Sequence, residues 1–467
     1  MANGLGGDFS SFERDPKELA EEIARKKHPN GAGQSNGYAS AAASAEPPWP
    51  EIDPAAYYGL PGNIVRTIAP HSESDPVALL MTLLTYFGNA IGRGPYYQVE
   101  GDRHAANLFC LIVGASGKAR KGVSDGRIRQ IFKMAEPDWC NCRIVSGLSS
   151  GEGLIWEVRD QITRMVKDGK GPNKVEDVVD EGVSDKRLMV VQSEFGGALR
   201  VMQREGSILS TVIRDAWDRG DLGTLVKHSP TRATGAHISI IGHITGTELR
   251  RLLDQTSMAN GFGNRFLFAC VKRSQYLPFG GQLEDGAVCV MAEEVSEAIA
   301  RARKIGRIYW SEQAAEGWEK IYPGLSSGRP GLLGALTDRA DAQTIRVAMN
   351  YALWEGTARI SLDHLMAARA VTDFCEQSVR YIFGDSLGDP VADTILAALK
   401  NAERSGLPRT EISNLLSRHS SSGQIGRALK ELSDRRLATM RMISSGTGRP
   451  AETWFAASRH GAADAQP

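Results

Sequence analysis

Long apolar runs are missing from this chain. No uncharged apolar stretch reaches the ~18 residues of a membrane span. The opening MANGLGGDFSSFERDP has neither the basic start nor the apolar centre of a secretory signal. The expectation is a cytoplasmic protein with no membrane association. An excess of one charge is missing too. Lys+Arg and Asp+Glu number 55 each, so any nucleic-acid surface has to come from local clustering. Cysteine is sparse: six stand at 110, 140, 142, 270, 289 and 375. Only Cys140 and Cys142 are close, with no second pair at zinc spacing, which favours buried or free thiols. The nine histidines are scattered and form no H-E-x-x-H motif. No repeat of 20 to 50 residues is visible.

What is present is ordinary globular material: 467 residues, 42% hydrophobic and 24% charged, enough for two or three domains. Residues 1–47 are polar and rich in Gly, Ser and Ala, and read as a disordered tether. A short helix over 15–27, capped by Asp15, is the exception. From residue 48 the pattern turns helical. Ser74 or Asp75 caps a helix with Pro76 in its first turn, closed by Gly92 and Gly94. Apolar runs at 107–115, 142–147, 187–195, 236–245 and 264–272 then alternate with amphipathic stretches. Near-continuous apolar strands between helices predict an α/β core, a mostly parallel sheet covered on both faces. The charged segment 167–186 reads as a long surface loop. After about 290 the strands are expected to stop, leaving helices over 291–385 as a lid subdomain. Residues 386–460 read as three short helices and a β-hairpin, the winged-helix arrangement, followed by a tail at 461–467.

The stretch LFCLIVGASGKARKGVSDGRIRQIF, residues 108–132, carries the chemistry. It is a strand, a glycine turn and a basic helix start, as in a phosphate-binding P-loop, where backbone N–H groups, a helix N-terminus and one lysine converge on phosphate. The usual ending Gly-Lys-Ser/Thr is absent. Counted from Gly114, the lysine slot falls on Arg120 and the hydroxyl slot on Lys121. In a loop one residue longer, Lys121 is the phosphate lysine, Gly122 takes the hydroxyl slot, and Ser124 is the nearest hydroxyl for magnesium. A plain strand–turn–helix connection is the competing reading.

Four further stretches bear on that choice. RLMVVQSEF is an apolar strand ending in Glu194, the position of an acid that holds magnesium or activates water. Gln192, where a second acid would be useful, supplies no charge. SIIGHIT puts His243 and Thr245 at a strand end, as γ-phosphate sensors or as a structural histidine and its neighbour. ANGFGNRFLF offers Arg265 as a finger toward a neighbouring subunit's nucleotide, or as an ordinary surface arginine. Arg339 and Arg346 are comparable candidates. GLSSGEGLIWEVRD starts a helix after a strand, and Glu152 within it could polarise a water.

Taken together, these stretches resemble a family of P-loop proteins common in prophages and integrated mobile elements. That family is related to RecA-like hexameric replicative helicases, and some members are fused to primase-polymerase domains. The likeness runs over residues 55–385, through GLPGNIVRTIAPHSESDPVALLMTLLTYFGNAIGRGPYY, GLSSGEGLI, SEFGGALRVMQREGSILS, RDAWDRGDL and ATGAHISIIGHIT. It implies a RecA/AAA-like core and the longer loop. Gly114, Ala115, Ser116, Gly117, Lys118, Ala119, Arg120, Lys121, Gly122 and Val123 would then surround ATP. Val123 stands where the family carries threonine, which leaves Ser124 with Glu194 for Mg2+. Catalysis would rest on Lys121, Glu194, His243 and, across an interface, Arg265.

In the tail, Ser422, Gln424 and Arg427 begin the third helix and Arg449 sits at the hairpin tip, residue types that reach bases or phosphates. A winged helix used for protein contact is the alternative. The whole reads as an ATP-binding, ATP-hydrolysing, helicase-like protein acting on single-stranded or duplex DNA in mobile-element replication. It is expected to form a homo-oligomer, in the ring case a hexamer, with primase or replication partners. The rivals are a non-enzymatic DNA-binding regulator that holds nucleotide structurally, and a P-loop NTPase acting on RNA or a protein complex.

Overall fold

The structure, a computed structural model, describes residues 48–457 except 116, 168–173, 226–230, 254–259, 329–330, 385–388, 417–419, 435–436 and 444–449. The helix expected over 15–27, Ser116, the side chain of Lys118, and Arg449 therefore lie outside the described residues.

The apolar runs form a five-stranded, fully parallel sheet. Its strands are β1 (Phe109–Val113), β2 (Ile144–Val145), β3 (Arg187–Gln192), β4 (His237–Ile244) and β5 (Leu267–Cys270). Their order is β5-β1-β4-β3-β2. Alternate residues feed two separate cores: Cys110, Ile112, Met189, Val191 and Ile241 one, Phe109, Leu111, Leu188, Val190 and Ile240 the other. Burial on both faces is why these runs are continuous rather than alternating. Each fully buried Leu, Ile or Phe contributes roughly 1.5–3 kcal/mol.

Strand order fixes where a ligand fits. The chain leaves β1 for β2, on the far side of β4 and β3. It leaves β4 in the opposite direction, passing β1 to reach β5. The following helices lie on opposite faces: α2 (Lys121–Ala135) packs Ile128 and Phe132 into the first core, and α3 (Gly246–Leu252) packs Leu249 and Leu252 into the second. Neighbouring strands whose connections diverge leave a crevice beyond their carboxyl ends, the preferred ligand position of open α/β sheets. Here that crevice lies between Gly114 and Thr245.

Helix α1 (Pro76–Ala90) begins as expected, with Asp75 accepting from the Val77 N–H at 3.0 Å. It runs through the first core and is buried on all sides. Its polar residues are satisfied internally: Thr82 and Thr85 donate to carbonyls one turn back, and Asn89 donates to the Leu188 and His237 carbonyls. Gly88 permits this close packing, since a Cβ there would meet the Ala106 carbonyl oxygen at 2.2 Å.

Three expectations are corrected. Strands do not stop at 290: Arg307–Trp310 and Arg359–Ile360 pair with Tyr96–Val99 and Asp102–Ala105 in a second sheet. Residues 291–385 are no separate lid, because α4 (Ala340–Glu355) and α5 (Leu362–Phe383) place Ile345, Met349, Val371 and Phe374 in the same core as β1. The segment read as a loop at 167–186 contains the return strand of a hairpin, Ile162–Lys167 paired with Lys174–Asp180. C-terminally, helices Pro390–Ala402, Arg409–Leu415 and Ser422–Asp434 share a third core with an antiparallel sheet. That sheet includes an unforeseen short strand, Leu407–Pro408, beside Ala438–Ile443 and Ala451–Ala456.

Candidate functional site

The loop after β1 is tied down at its start. Gly114 donates its N–H to the Ile244 carbonyl at 3.2 Å, so the turn begins at the β1–β4 crevice. A Cβ on Gly114 would lie 2.6 Å from the Val271 carbonyl oxygen, whereas Gly117 and Gly122 have open space around that position. Only the first glycine is demanded by packing. Residues Gly117–Ala119 make one 3-10 turn, and Arg120 then adopts φ 52°, a left-handed conformation that is strained for a residue with a Cβ. An ion pair of 2.7 Å holds Arg120 to Glu73. The Leu277 N–H, followed by Arg120 and Arg273, keeps the Glu73 carboxyl below its ordinary pKa.

Lys121 opens α2, whose N-terminus no side chain caps. Its ammonium donates to the Gly114 and Ala115 carbonyls, both at 2.9 Å. Burial lowers its pKa, and the Glu248 carboxylate opposes that shift. Glu248 itself pairs with Arg200 at 2.6 Å. Sequence reasoning missed Glu248, although Thr245-x-x-Glu248 has the spelling of a helix start. Thr245 is indeed used that way, its hydroxyl accepting from the Glu248 N–H, which makes it a cap.

Beneath the loop, His243 is 4% exposed, and its Nε2 has no partner among the described residues. Burial lowers its pKa to about 4, with Asp125 raising it and Lys121 lowering it further. The ring is therefore neutral at physiological pH. Asp125 accepts from the buried Tyr86 hydroxyl at 2.5 Å and pairs with Arg129 at 3.5 Å. His243 thus lies within electrostatic reach of Asp125 and Lys121.

Other nominated residues fall differently. Ser124 is fully buried and donates to the Lys121 carbonyl at 2.8 Å. Its hydroxyl therefore faces its own helix rather than the loop mouth, which corrects the magnesium expectation. Glu194 is exposed at the carboxyl end of β3, two strands and roughly 10 Å across the sheet from β1. Gln192 accepts from the Gly147 N–H at 2.9 Å, fixing the loop after β2. Glu152 follows β2 itself, a third strand away. That loop also spells G-x-S-x-G (Gly147–Gly151), the pattern of a nucleophile elbow. The serine of that pattern is Ser149, and no described histidine is hydrogen-bonded to it; Ser150 caps the next helix through the Gly153 N–H.

Arg265 is the largest correction. It precedes β5 and so lies at the amino edge of the sheet, opposite the loop. It is 5% exposed, donates to Asp218 at 2.5 Å, and bonds the Gly261 carbonyl. A guanidinium held this way is not presented to a neighbouring subunit. Arg339 reaches the same Asp218 at 3.4 Å, and Arg346 lies 3.6 Å over the Trp217 ring. The three arginines named from sequence converge, but around Trp217 and Asp218.

In the C-terminal unit, Ser422, Gln424 and Arg427 are exposed at the start of the third helix. Gln424 accepts from the Ser421 N–H at 2.7 Å while Ser421 accepts from the Gln424 N–H. This reciprocal cap engages the Gln424 side-chain oxygen with its own helix start. All six cysteines are free. Among the described residues no cluster of His, Cys, Asp and Glu could hold a metal by itself, and no helix is long and apolar enough to cross a membrane. No protein-family model matches the chain, and no curated protein matches it.

Proposed function

We propose that the chain binds ATP with Mg2+ at the loop 114–124, hydrolyses it, and couples this to DNA in mobile-element or phage replication. The observation that carries the reading is the position of Lys121. It opens an uncapped helix N-terminus at the divergent β1–β4 crevice, with loop carbonyls as its hydrogen-bond partners among the described residues. A helix start, its unpaired N–H groups and a lysine make an anion site. Lys121 would turn from those carbonyls to the β- and γ-phosphates, and Glu248 would keep it charged. Glu194, exposed at the same edge, would orient the attacking water. Magnesium would neutralise phosphate charge when bound. With Ser124 turned away, it would be held by the phosphates and by carboxylates through water. A transition-state arginine supplied between copies in a ring would have to be other than Arg265.

The C-terminal unit supports the DNA part. Three helices and a small antiparallel sheet are compatible with a winged helix, and exposed Arg427 and Lys430 share the third helix. A DNA-binding regulator that holds nucleotide structurally, and an NTPase acting on RNA or a protein complex, are the other readings. One experiment separates them: Lys121→Ala, assayed for fluorescent-ATP binding and for phosphate release with single-stranded DNA, duplex DNA or RNA. Loss of both binding and release supports the enzyme. Phosphate release unchanged by the substitution sinks it.

A further inference from the structure

A second cavity, about 1150 Å³, opens at the other end of the molecule's main sheet, beside Trp217 and Asp218. One wall is aromatic: Tyr97, Trp318 and Tyr322 line it. Trp310 stacks behind Trp318 at 5.3 Å and donates its indole N–H to the Tyr97 hydroxyl at 2.7 Å, which fixes the wall's orientation. Trp217 and Arg346 also line the cavity, both 1% exposed and stacked on each other, with the guanidinium 3.6 Å over the indole ring. The rest of the lining is acidic, with seven carboxylates against four arginines. Asp218 already engages Arg265 and Arg339, and Asp102 engages Arg219. Acids such as Asp338 and Asp215 remain to receive N–H donors and to repel phosphate.

We infer that this cleft binds a nucleobase. A base supplies a flat π-face for the Tyr97–Trp318–Tyr322 wall. It also brings donors for the carboxylates, and no charge for the acidic lining to repel. The base can come as a free nucleoside or as an unstacked base of a single strand whose phosphates stay at the mouth. The site is independent of the loop at Lys121, since the two occupy opposite edges of the sheet.

The test is saturation-transfer NMR and calorimetry on the full chain with adenosine, guanosine, cytidine and thymidine, their 5′-monophosphates, and oligothymidylate. At least one nucleoside is expected to bind, and more tightly than its monophosphate. Tyr322→Ala should weaken it roughly fivefold or more, and Asp338→Asn should weaken it as well. Tyr322 is 45% exposed, so its loss leaves the fold intact. Lys121→Ala should leave this binding unchanged. Tighter binding of the oligonucleotide, with the same dependence on Tyr322, identifies a strand as the source; otherwise the source is the free nucleoside. The inference is overturned if none of the four nucleosides binds, if binding survives both cleft substitutions, or if Lys121→Ala abolishes it.

Discussion

Lys121 turns back on the residue that opens its own loop, its ammonium 2.9 Å from the Gly114 carbonyl oxygen. The loop is thus closed on itself, with its glycines in two different situations. Gly114→Ala forces a methyl against Val271 and Ala119, at 2.6 and 2.8 Å. It should lower the melting temperature, by an amount equivalent to about 1–3 kcal/mol. Gly117→Ala and Gly122→Ala meet nothing within 4 Å and should leave the melting temperature unchanged. If the open space receives phosphate, those two substitutions weaken ATP binding without loss of stability. Calorimetric melting beside nucleotide titration checks the contrast, and equal behaviour of all three variants would contradict it.

Arg265→Ala makes a sharper distinction. Removing one partner of a buried ion pair is strongly destabilising, because the other charge is left uncompensated. Asp218 keeps Arg339 and is about one-third exposed, so the expected loss is reduced to about 2 kcal/mol. Urea unfolding should show it. A finger arginine would behave oppositely, with hydrolysis lost and stability kept.

Why Arg265 misleads a reading of the sequence is instructive. Its partner Asp218 is 47 residues away, and nothing in the glycine-flanked stretch 260–266 announces it. Glu248 is hidden for the same reason: it comes within electrostatic reach of Lys121 only because β4 lies beside β1, a consequence of strand order. Four of the five core strands were legible because burial on both faces writes continuous apolar runs; the edge strand β2 is only Ile144 and Val145, both half-buried. The strand Arg307–Trp310 is four residues long with only Ile308 fully buried, too little for a periodic signal. The hairpin at 162–180 is largely exposed on both faces and highly charged, so composition made its return strand look like a loop. Asp75-Pro76, by contrast, marked its helix start locally, and the structure places the cap there.

Buried histidines set a pH dependence, and two of them stand on β4. Burial lowers His243 to about 4 and His237 to about 3, against an unfolded value of ~6.5. In the folded chain both stay neutral while the unfolded chain takes up protons. The stability they contribute is full above the unfolded value and is lost as pH falls toward their folded values. Each histidine should remove about 1.4 kcal/mol per pH unit inside that window. Unfolding free energies measured from about pH 7 down to 5 should therefore fall. His243→Asn should flatten the slope by one proton's share, and an unchanged slope would refute the assignment.

The C-terminal helix yields the last expectation. Arg427 and Lys430 are exposed on Ser422–Asp434, three residues apart and so on one helical face. Gln424 is occupied by its cap with Ser421, so few side chains on this helix start remain free to read bases. Binding through charge alone predicts little sequence preference and a steep salt dependence. Arg427→Glu with Lys430→Glu should weaken duplex binding for all sequences alike. It should also lower the slope of log K against log salt by about 1 for each phosphate that is no longer neutralised. On the proposed reading ATP is bound at the loop 114–124, and its affinity there should not move. If the double variant keeps the salt slope, this helix meets protein rather than DNA.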